Sequence, residues 1–256
     1  MIISKKIDMI KDLRLPNICN LKIYNYEEID ILLIKHILDK YGIISIDIKD
    51  FKEFDFLQFI LKIGNPHGHD QIDKVVWDIK QGGTTGKETL ARSHGNKEFT
   101  FHTDCSYEIN PPAYFALFII EHDTEGGGYN LFIKNETIIE QLSEKSFDIL
   151  TNNKITVKVP PEFYKGKETE EIYLIDRDFN LQYRQDIIIR EKLNMEQIKA
   201  LNELEKIIFN PINMRKLFVK KGKMVIIDNK ALLHARTEIK DKKRHLQRIR
   251  FNFKAL

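Results

Sequence analysis

From Pro112 onward the apolar residues fall into short β-branched and aromatic runs, each closed by a turn-forming residue. That rhythm limits the fold more than any other feature of the chain. "PAYFALFIIEH" stops before the "EGGGYN" turn (Glu125 to Asn130), and the pattern then predicts strands near Ile155 to Val159, Ile172 to Ile175 and Leu181 to Tyr183. "RKLFV", "MVIID" and "ALLHAR" follow in quick succession, and "HLQRIRFNF" closes the series. Helical periodicity interrupts it near Glu136 to Asn152 and Met195 to Phe209. Upstream, "GIISIDI" (Gly42 to Ile48) predicts a strand, between a helix near Tyr26 to Lys40 and a shorter one around Phe51 to Ile63. Many short strands with a few helices predict a mainly β, α+β architecture: a sandwich or jelly roll with helices packed on it. No repeat or low-complexity linker divides the 256 residues, which predicts one domain over 1–256. Residues 1–40 are expected to form an N-terminal helical elaboration on a core of 41–256.

Composition narrows the function classes. Hydrophobic residues make up 42% of the chain, enough for a real core. A net charge of +3 does not by itself point to nucleic acid or a membrane surface. Two cysteines, Cys19 and Cys105, are too few for a disulfide framework. The start, "MIISKKIDMIKDLRLP", lacks the apolar core of a signal peptide, and no apolar run nears the roughly 20 residues of a membrane span. A cytoplasmic protein without membrane or nucleic-acid partners is expected.

"TFHTDCSYEINPPAYF" places His102 and Asp104 at i and i+2, so on an extended segment both side chains point the same way. An imidazole and a carboxylate converging there can supply two ligands of a divalent metal. Eight histidines and 38 acidic residues give about one such triplet by chance, so the pair carries weight only with a partner. His234, in "IIDNKALLHART", is that partner if a jelly roll brings its strand opposite His102. Arg244, Arg248 and Arg250 have even spacing and share one face of the last strand, from which a guanidinium can enter the same cavity. Two histidines and one carboxylate leave metal positions open, as in non-haem Fe(II) oxygenases, and an arginine can hold a carboxylate bidentately. The residues alone leave three readings: such an oxygenase, a metal-dependent hydrolase on the same three ligands, and a non-catalytic jelly-roll ligand-binding protein.

The motifs "FHTD", "PPAYFAL", "GGG", "IDNKALLHART" and "RHLQR", in that order, resemble the Fe(II)/2-oxoglutarate-dependent dioxygenases of the taurine dioxygenase and clavaminate synthase-like superfamily. The similarity runs from about Tyr41 to the C-terminus. It implies a double-stranded β-helix with His102, Asp104 and His234 as both the iron ligands and the catalytic centre. It also implies Fe(II) as metal, 2-oxoglutarate as co-substrate and O2 as oxidant, with succinate and CO2 released as a C–H bond is oxidised. Arg244 would pair with the distal carboxylate of 2-oxoglutarate, while Arg248 would lie nearer the substrate or support the clamp. The loop "TEIKDKK" between His234 and Arg244 is shorter than in much of the family. Asn130 stands where the family often has a threonine that helps bind 2-oxoglutarate, and its amide can still donate a hydrogen bond. Related halogenases carry a small residue in place of the carboxylate, so Asp104 implies a hydroxylase or desaturase.

The remaining polar residues near these motifs are expected to serve a small polar substrate, such as an amino acid or an intermediate of natural-product biosynthesis. Arg92 and Ser93 are expected to begin the strand leading to the site and to face the cavity. Arg184 and Asp186 are expected on one side of a strand, where they would suit a zwitterion. Tyr107 and Glu108 are candidate wall residues. His67 is a candidate substrate contact, although "NPHGHD" reads more readily as a solvated turn. Trp77 is expected in the core. The loop Gln81 to Thr89, with Gly82, Gly83 and Gly86, is expected to act as a lid. Lys240 to Arg250 reads as a strand rather than a nucleic-acid patch, because Leu246, Ile249 and Phe251 interleave the charges.

Overall fold

A computed structural model describes residues 7, 10–13, 29–48, 52–68, 74–80 and 92–255. The apolar runs of the last half form thirteen short strands with their upstream partners, arranged mostly as two sheets. One sheet contains β2 (Ile43–Asp47), β11 (Lys223–Asp228), β6 (Tyr114–Glu121), β13 (His245–Phe253) and β3 (Gly64–His67), in that order, with β4 (Trp77–Lys80) also paired to β13. The other contains β1 (Lys11–Asp12), β10 (Arg215–Leu217), β7 (Asn130–Lys134), β12 (Leu232–Arg236) and β5 (Phe99–His102). A separate hairpin joins β8 (Ile155–Lys158) and β9 (Thr169–Ile172). The jelly-roll expectation agrees with this arrangement.

Side-chain alternation explains how the first sheet is buried on both faces. In β6, Phe115, Leu117 and Ile119 enter the main core, while Ala116 and Phe118 enter a second cluster. In β11 the same division separates Val225 and Ile227 from Met224 and Ile226. Two helices cover the second face. α1 (Ile31–Tyr41) contributes Ile34, Ile37 and Leu38, and α2 (Phe56–Ile63) contributes Phe56, Phe59, Ile60 and Ile63. Their starts are fixed by the side chains of Asp30 and Asp55, which accept from Leu33 and Gln58 amides. Burial on both faces is why these strands read as continuous apolar runs rather than as clean alternation.

Several expected elements are corrected. The helix expected over Glu136 to Asn152 is two helices, α3 (Asn135–Ile139) and α4 (Glu144–Asn152), because Ser143 caps a new start. The next helix, α5 (Met195–Ile208), opens on a capping box between Asn194 and Gln197. Leu181 to Tyr183 forms no strand; Leu181 makes only an isolated bridge to Ile175, and Arg184 one to His102. The N-terminal residues also add β1 to a sheet edge beside β10, so the helical elaboration expected there is partly a strand. The candidate lid, Gln81 to Thr89, and Cys19 lie outside the described residues, as does the start of the helix expected from Tyr26. Among the described residues no helix is long and apolar enough to cross a membrane.

Candidate active site

The sheet register itself assembles the three candidate ligands. His234 on β12 stands directly opposite His102 at the end of β5 in an antiparallel pair. A bulge separates that pair from Arg236 and Phe99, a local irregularity typical of sheet positions that aim a side chain. Asp104 follows His102 by two residues, and the chain then turns sharply at Cys105, whose φ of 56° is uncommon for a side-chain-bearing residue. Asp104 Oδ1 lies 3.7 Å from His102 Nε2 and 3.5 Å from His234 Nε2. The donor atoms of all three residues fall within 4.8 Å of one another. One ion with bonds of about 2.0–2.2 Å reaches donors separated by about 4 Å, so the set fits a single divalent metal after small adjustments.

Neighbouring groups prepare these side chains for ligation. His102 Nδ1 is 2.8 Å from the Thr100 carbonyl, an obligate acceptor, so Nδ1 carries the proton and Nε2 presents its lone pair to the site. Burial, with His234 and Arg184 nearby, holds His102 well below the usual imidazole range and therefore neutral. Burial works against the Asp104 charge, but Arg248, Arg250 and His234 outweigh it and hold the carboxyl well below its usual range. Phe99 stacks on His102, with ring centroids 3.9 Å apart, and Phe115 packs on His234 at 4.5 Å. Asn229 holds the backbone of Asp104 on both sides. Its Oδ1 accepts from the Asp104 amide at 2.7 Å, and its Nδ2 donates to the Asp104 and Pro112 carbonyls at 3.0 and 2.9 Å. Sequence reasoning quoted this asparagine within a motif but missed its role; a side chain that bonds main chain 125 positions away leaves no local signal.

The even-spaced arginines do share one face. Leu246, between them, enters the main core, whereas Ile249 and Phe251 enter the second cluster. Arg244, Arg248 and Arg250 are all buried, so the basic stretch is not a surface patch. Arg244, Asn130 and Arg236 line one narrow cavity with His102 and His234. Arg236 donates to the Gly95 and Lys97 carbonyls at 3.0 and 2.8 Å, yet among the described residues its buried Nη1 has no hydrogen-bond partner. Arg244 makes no ion pair among the described residues. Burial lowers both, Arg236 to about 9, with the Arg244 charge adding to the effect, and Arg244 to about 10 against the opposing influence of Asp123. Two such groups facing one cavity call for an anionic guest.

The trimmed loop is held by Asp123 rather than by its own length. Asp123 Oδ2 accepts from the Lys240 and Asp241 amides at 2.7 and 3.1 Å, and Oδ1 from Glu125 and Gly127 at 2.9 and 3.1 Å. A Cβ at Gly127 would lie 2.5 Å from Asp123 Oδ2 and 2.6 Å from the Glu238 carbonyl, so only glycine fits this junction. The "GGG" turn and the loop before Arg244 are thus one unit.

The expected substrate residues fare unevenly. Arg184, Ser93, Arg92 and Tyr107 line the metal-side cavity with His102 and Asp104. Arg92 and Ser93 lie in a short 3-10 helix (Arg92–His94), not a strand, and Ser93 Oγ accepts from Trp77, which is core as expected. Asp186 lies in a 3-10 helix (Gln185–Ile187), where Arg184 grips it through two bonds of 2.9 and 3.0 Å; the expected strand is absent because this segment folds back on itself. Arg92 reaches the same carboxylate at 3.4 Å. Asp186 and Arg184 also line a broad adjoining groove that opens beside Arg92. Tyr107 stacks on Phe163 at 5.5 Å. His67 ends β3 instead of lying in a solvated turn, and its ring bonds Glu108 at 2.8 Å. Neither His67 nor Glu108 lines the metal-side cavity; they pair with each other outside it. Arg250, left without a role by the sequence, donates from Nε to Asp104 Oδ2 at 2.7 Å, while Arg248 Nη1 reaches Oδ1 at 3.2 Å. Burial opposes the Arg250 charge, but Asp104 outweighs it and raises this guanidinium above its ordinary range.

With this geometry described, the chain was compared with known proteins. The profile of the family described as "Taurine catabolism dioxygenase TauD, TfdA family" matches residues 16–250. No protein of curated function matches by sequence. Among solved structures, an asparagine oxygenase in complex with Fe(II), 2S,3S-3-hydroxyasparagine and succinate is similar at a TM-score of 0.70 and 19% identity, over 88% of this chain and 78% of that one. The non-heme iron oxygenase OrfP, in complex with Fe, succinate and (3S)-hydroxy-L-Arg, gives 0.66 and 15%, over 87% and 80%. A taurine dioxygenase from Burkholderia xenovorans gives 0.63 and 18%, over 87% and 79%. At these identities the likeness carries the fold: the double-stranded β-helix of those oxygenases.

Proposed function

The chain belongs to the taurine catabolism dioxygenase TauD, TfdA family, and from that premise we propose that His102, Asp104 and His234 hold its Fe(II) while Arg244 receives the distal carboxylate of 2-oxoglutarate. It is a 2-oxoglutarate-dependent dioxygenase acting on a small molecule. The observation that carries the site assignment is the single cavity joining the paired histidines to the guanidiniums of Arg244 and Arg236, neither of which makes an ion pair among the described residues. A hydrolase built on the same three ligands has no use for that pair, and a passive binding protein has no use for the open ligand set. When bound, Fe(II) and 2-oxoglutarate supply with O2 the oxidising power that converts a substrate C–H bond, releasing succinate and CO2.

The chain's own residues do the rest. Arg244 draws one end of the co-substrate to the cavity floor, and Asn130, beside Arg236 in register on β7, offers its amide to the same carboxylate. Phe99 and Phe115 exclude water around the imidazoles. Arg248 shares Oδ1 of Asp104 with the histidines, and were that oxygen to ligate the metal, its Nη1 would be free for an anionic group of the prime substrate. The Arg184–Asp186–Arg92 cluster at the groove mouth offers charges of both signs. These features favour an amino acid or a related biosynthetic intermediate, hydroxylated at carbon. The hydroxylated amino acids bound to the asparagine oxygenase and OrfP support that choice. We further read the chain as one domain working in the cytoplasm, which its free, buried Cys105 supports. Incubation with Fe(II), 2-oxoglutarate and each of the common amino acids under air tests the proposal. Succinate formation that rises with one of them, together with a product heavier by one oxygen, is expected; turnover independent of 2-oxoglutarate would sink it.

A further inference from the structure

The two oxygens of Asp104 have different surroundings. Oδ1 faces the imidazoles of His234 and His102 at 3.5 and 3.7 Å and also meets Arg248 Nη1 at 3.2 Å. Oδ2 is held by Arg250 Nε at 2.7 Å, and among the described residues no histidine nitrogen is paired with it. Arg250 is itself fixed. It is 3% exposed on β13, in register with Phe115 on β6 and His67 on β3, and its guanidinium carbon lies 5.5 Å from the centre of the Phe163 ring. An ion held between the histidines would compete with Arg248 for Oδ1, whereas Oδ2 would keep its bond from Arg250.

That asymmetry has a chemical consequence. A carboxylate can ligate through one oxygen or chelate through both, and chelation consumes an additional coordination position. A two-histidine, one-carboxylate set is useful because it leaves positions open. Both the co-substrate and O2 require them. We propose that Arg250 is a positioning residue that keeps Oδ2 of Asp104 out of the metal's coordination sphere, so that Asp104 ligates through Oδ1 alone. The role rests on the assignment of His102, Asp104 and His234 as the metal site. A bond from Nε on the sheet backbone's own strand also fixes the carboxylate plane, as partners of metal ligands generally do.

Co(II), a spectroscopic substitute for Fe(II), tests this on the full chain without turnover. Wild type, His102→Ala, Arg250→Gln and Arg250→Lys are titrated with Co(II), reading both the dissociation constant and the position and intensity of the visible absorption band. Arg250→Gln is expected to bind Co(II) about 10- to 100-fold more weakly, the usual effect of losing a group that orients a ligand. Its band should shift, because a change from one ligating oxygen to two alters the metal's geometry. Arg250→Lys, which keeps the charge but not the Nε donor, should show a smaller loss and a shifted band. If Arg250→Gln does not fold, the lysine variant decides alone. Wild-type affinity and an unmoved band in either folded variant overturn the proposal, whatever happens to thermal stability. If His102→Ala binds Co(II) as wild type does, the metal assignment itself falls, and the role of Arg250 with it.

Discussion

Replacing Arg244 by methionine should separate the cost of an unpaired buried charge from the benefit of its intended partner. Arg244 is 7% exposed, makes no ion pair among the described residues, and feels Asp123 only across a carboxylate already engaged by four amides. A buried charge without a partner costs several kcal/mol, so Arg244→Met should leave the unliganded protein at least as stable as wild type. Asp104 supplies the opposite control. It is 2% exposed and is paired with both Arg248 and Arg250, so Asp104→Ala takes a buried carboxylate from each of two buried guanidiniums and should cost about 3–5 kcal/mol. For a chain of this size that is a fall of roughly 6–20 °C in the unfolding midpoint. With 2-oxoglutarate present the order reverses. Losing the charged partner of a buried carboxylate costs about 2–5 kcal/mol, which is at least about 30-fold in the apparent KM for 2-oxoglutarate. Differential scanning calorimetry of the unliganded variants and 2-oxoglutarate titrations of succinate formation give the two readings. A fall of several degrees for unliganded Arg244→Met, or a KM within threefold of wild type, would refute the reasoning.

His102→Ala and His234→Ala should each abolish turnover and stoichiometric metal uptake while leaving the far-ultraviolet circular dichroism spectrum intact; retained uptake with activity would remove that residue from the ligand set. Arg248→Gln should act on the prime substrate, raising its KM or uncoupling 2-oxoglutarate consumption from product, with the KM for 2-oxoglutarate within about threefold. A larger 2-oxoglutarate defect in Arg248→Gln than in Arg244→Gln means that the two roles are exchanged. Burial opposes the Asp123 charge, but four backbone amides outweigh it and hold its folded value below the usual carboxylate range. Its contribution is therefore fully present above the unfolded value, about 3.9, and is lost as pH falls through the folded value. Asp123→Asn should flatten the acid limb of stability below about pH 4 in thermal melts, and at pH 7 should cost about 1.5–3 kcal/mol.

What the sequence made legible is what obeys a period. The alternation in "HLQRIRFNF" gave the strand and the shared arginine face, and both stand in β13. Order along the chain was equally readable: "FHTD" before "HART" before "RHLQR" is the order in which a jelly roll lays the ligands side by side. The errors have a common physical origin. Arg184 and Asp186 resembled a strand pair because "LQYRQDIII" is rich in β-formers, but the bidentate bond between them stabilises a 3-10 turn instead. "NPHGHD" resembled a solvated turn because proline and glycine flank His67, yet proline is tolerated in an edge strand such as β3.

The residues that escaped attention act across the largest sequence distances. Asn229 fixes Asp104 over 125 positions, Arg250 over 146, and Asp123 fixes the loop before Arg244 over 117. None is unusual in its own neighbourhood; an asparagine in a turn, an arginine on a strand and an aspartate before glycines are ordinary. Their effect arises because ligating side chains are short and a metal tolerates little displacement, so each needs a partner supplied by another strand. In this fold the partner is rarely the neighbour in sequence, since the strands from β4 to β7 and from β10 to β13 alternate between the two sheets. Arg250 makes the point most directly. Its even spacing from Arg248 put it on the cavity face, but only the folded chain shows that it meets Asp104, just before the turn at Cys105. The identity of the ligands is written locally, whereas the number of oxygens that a ligand offers is set by the fold.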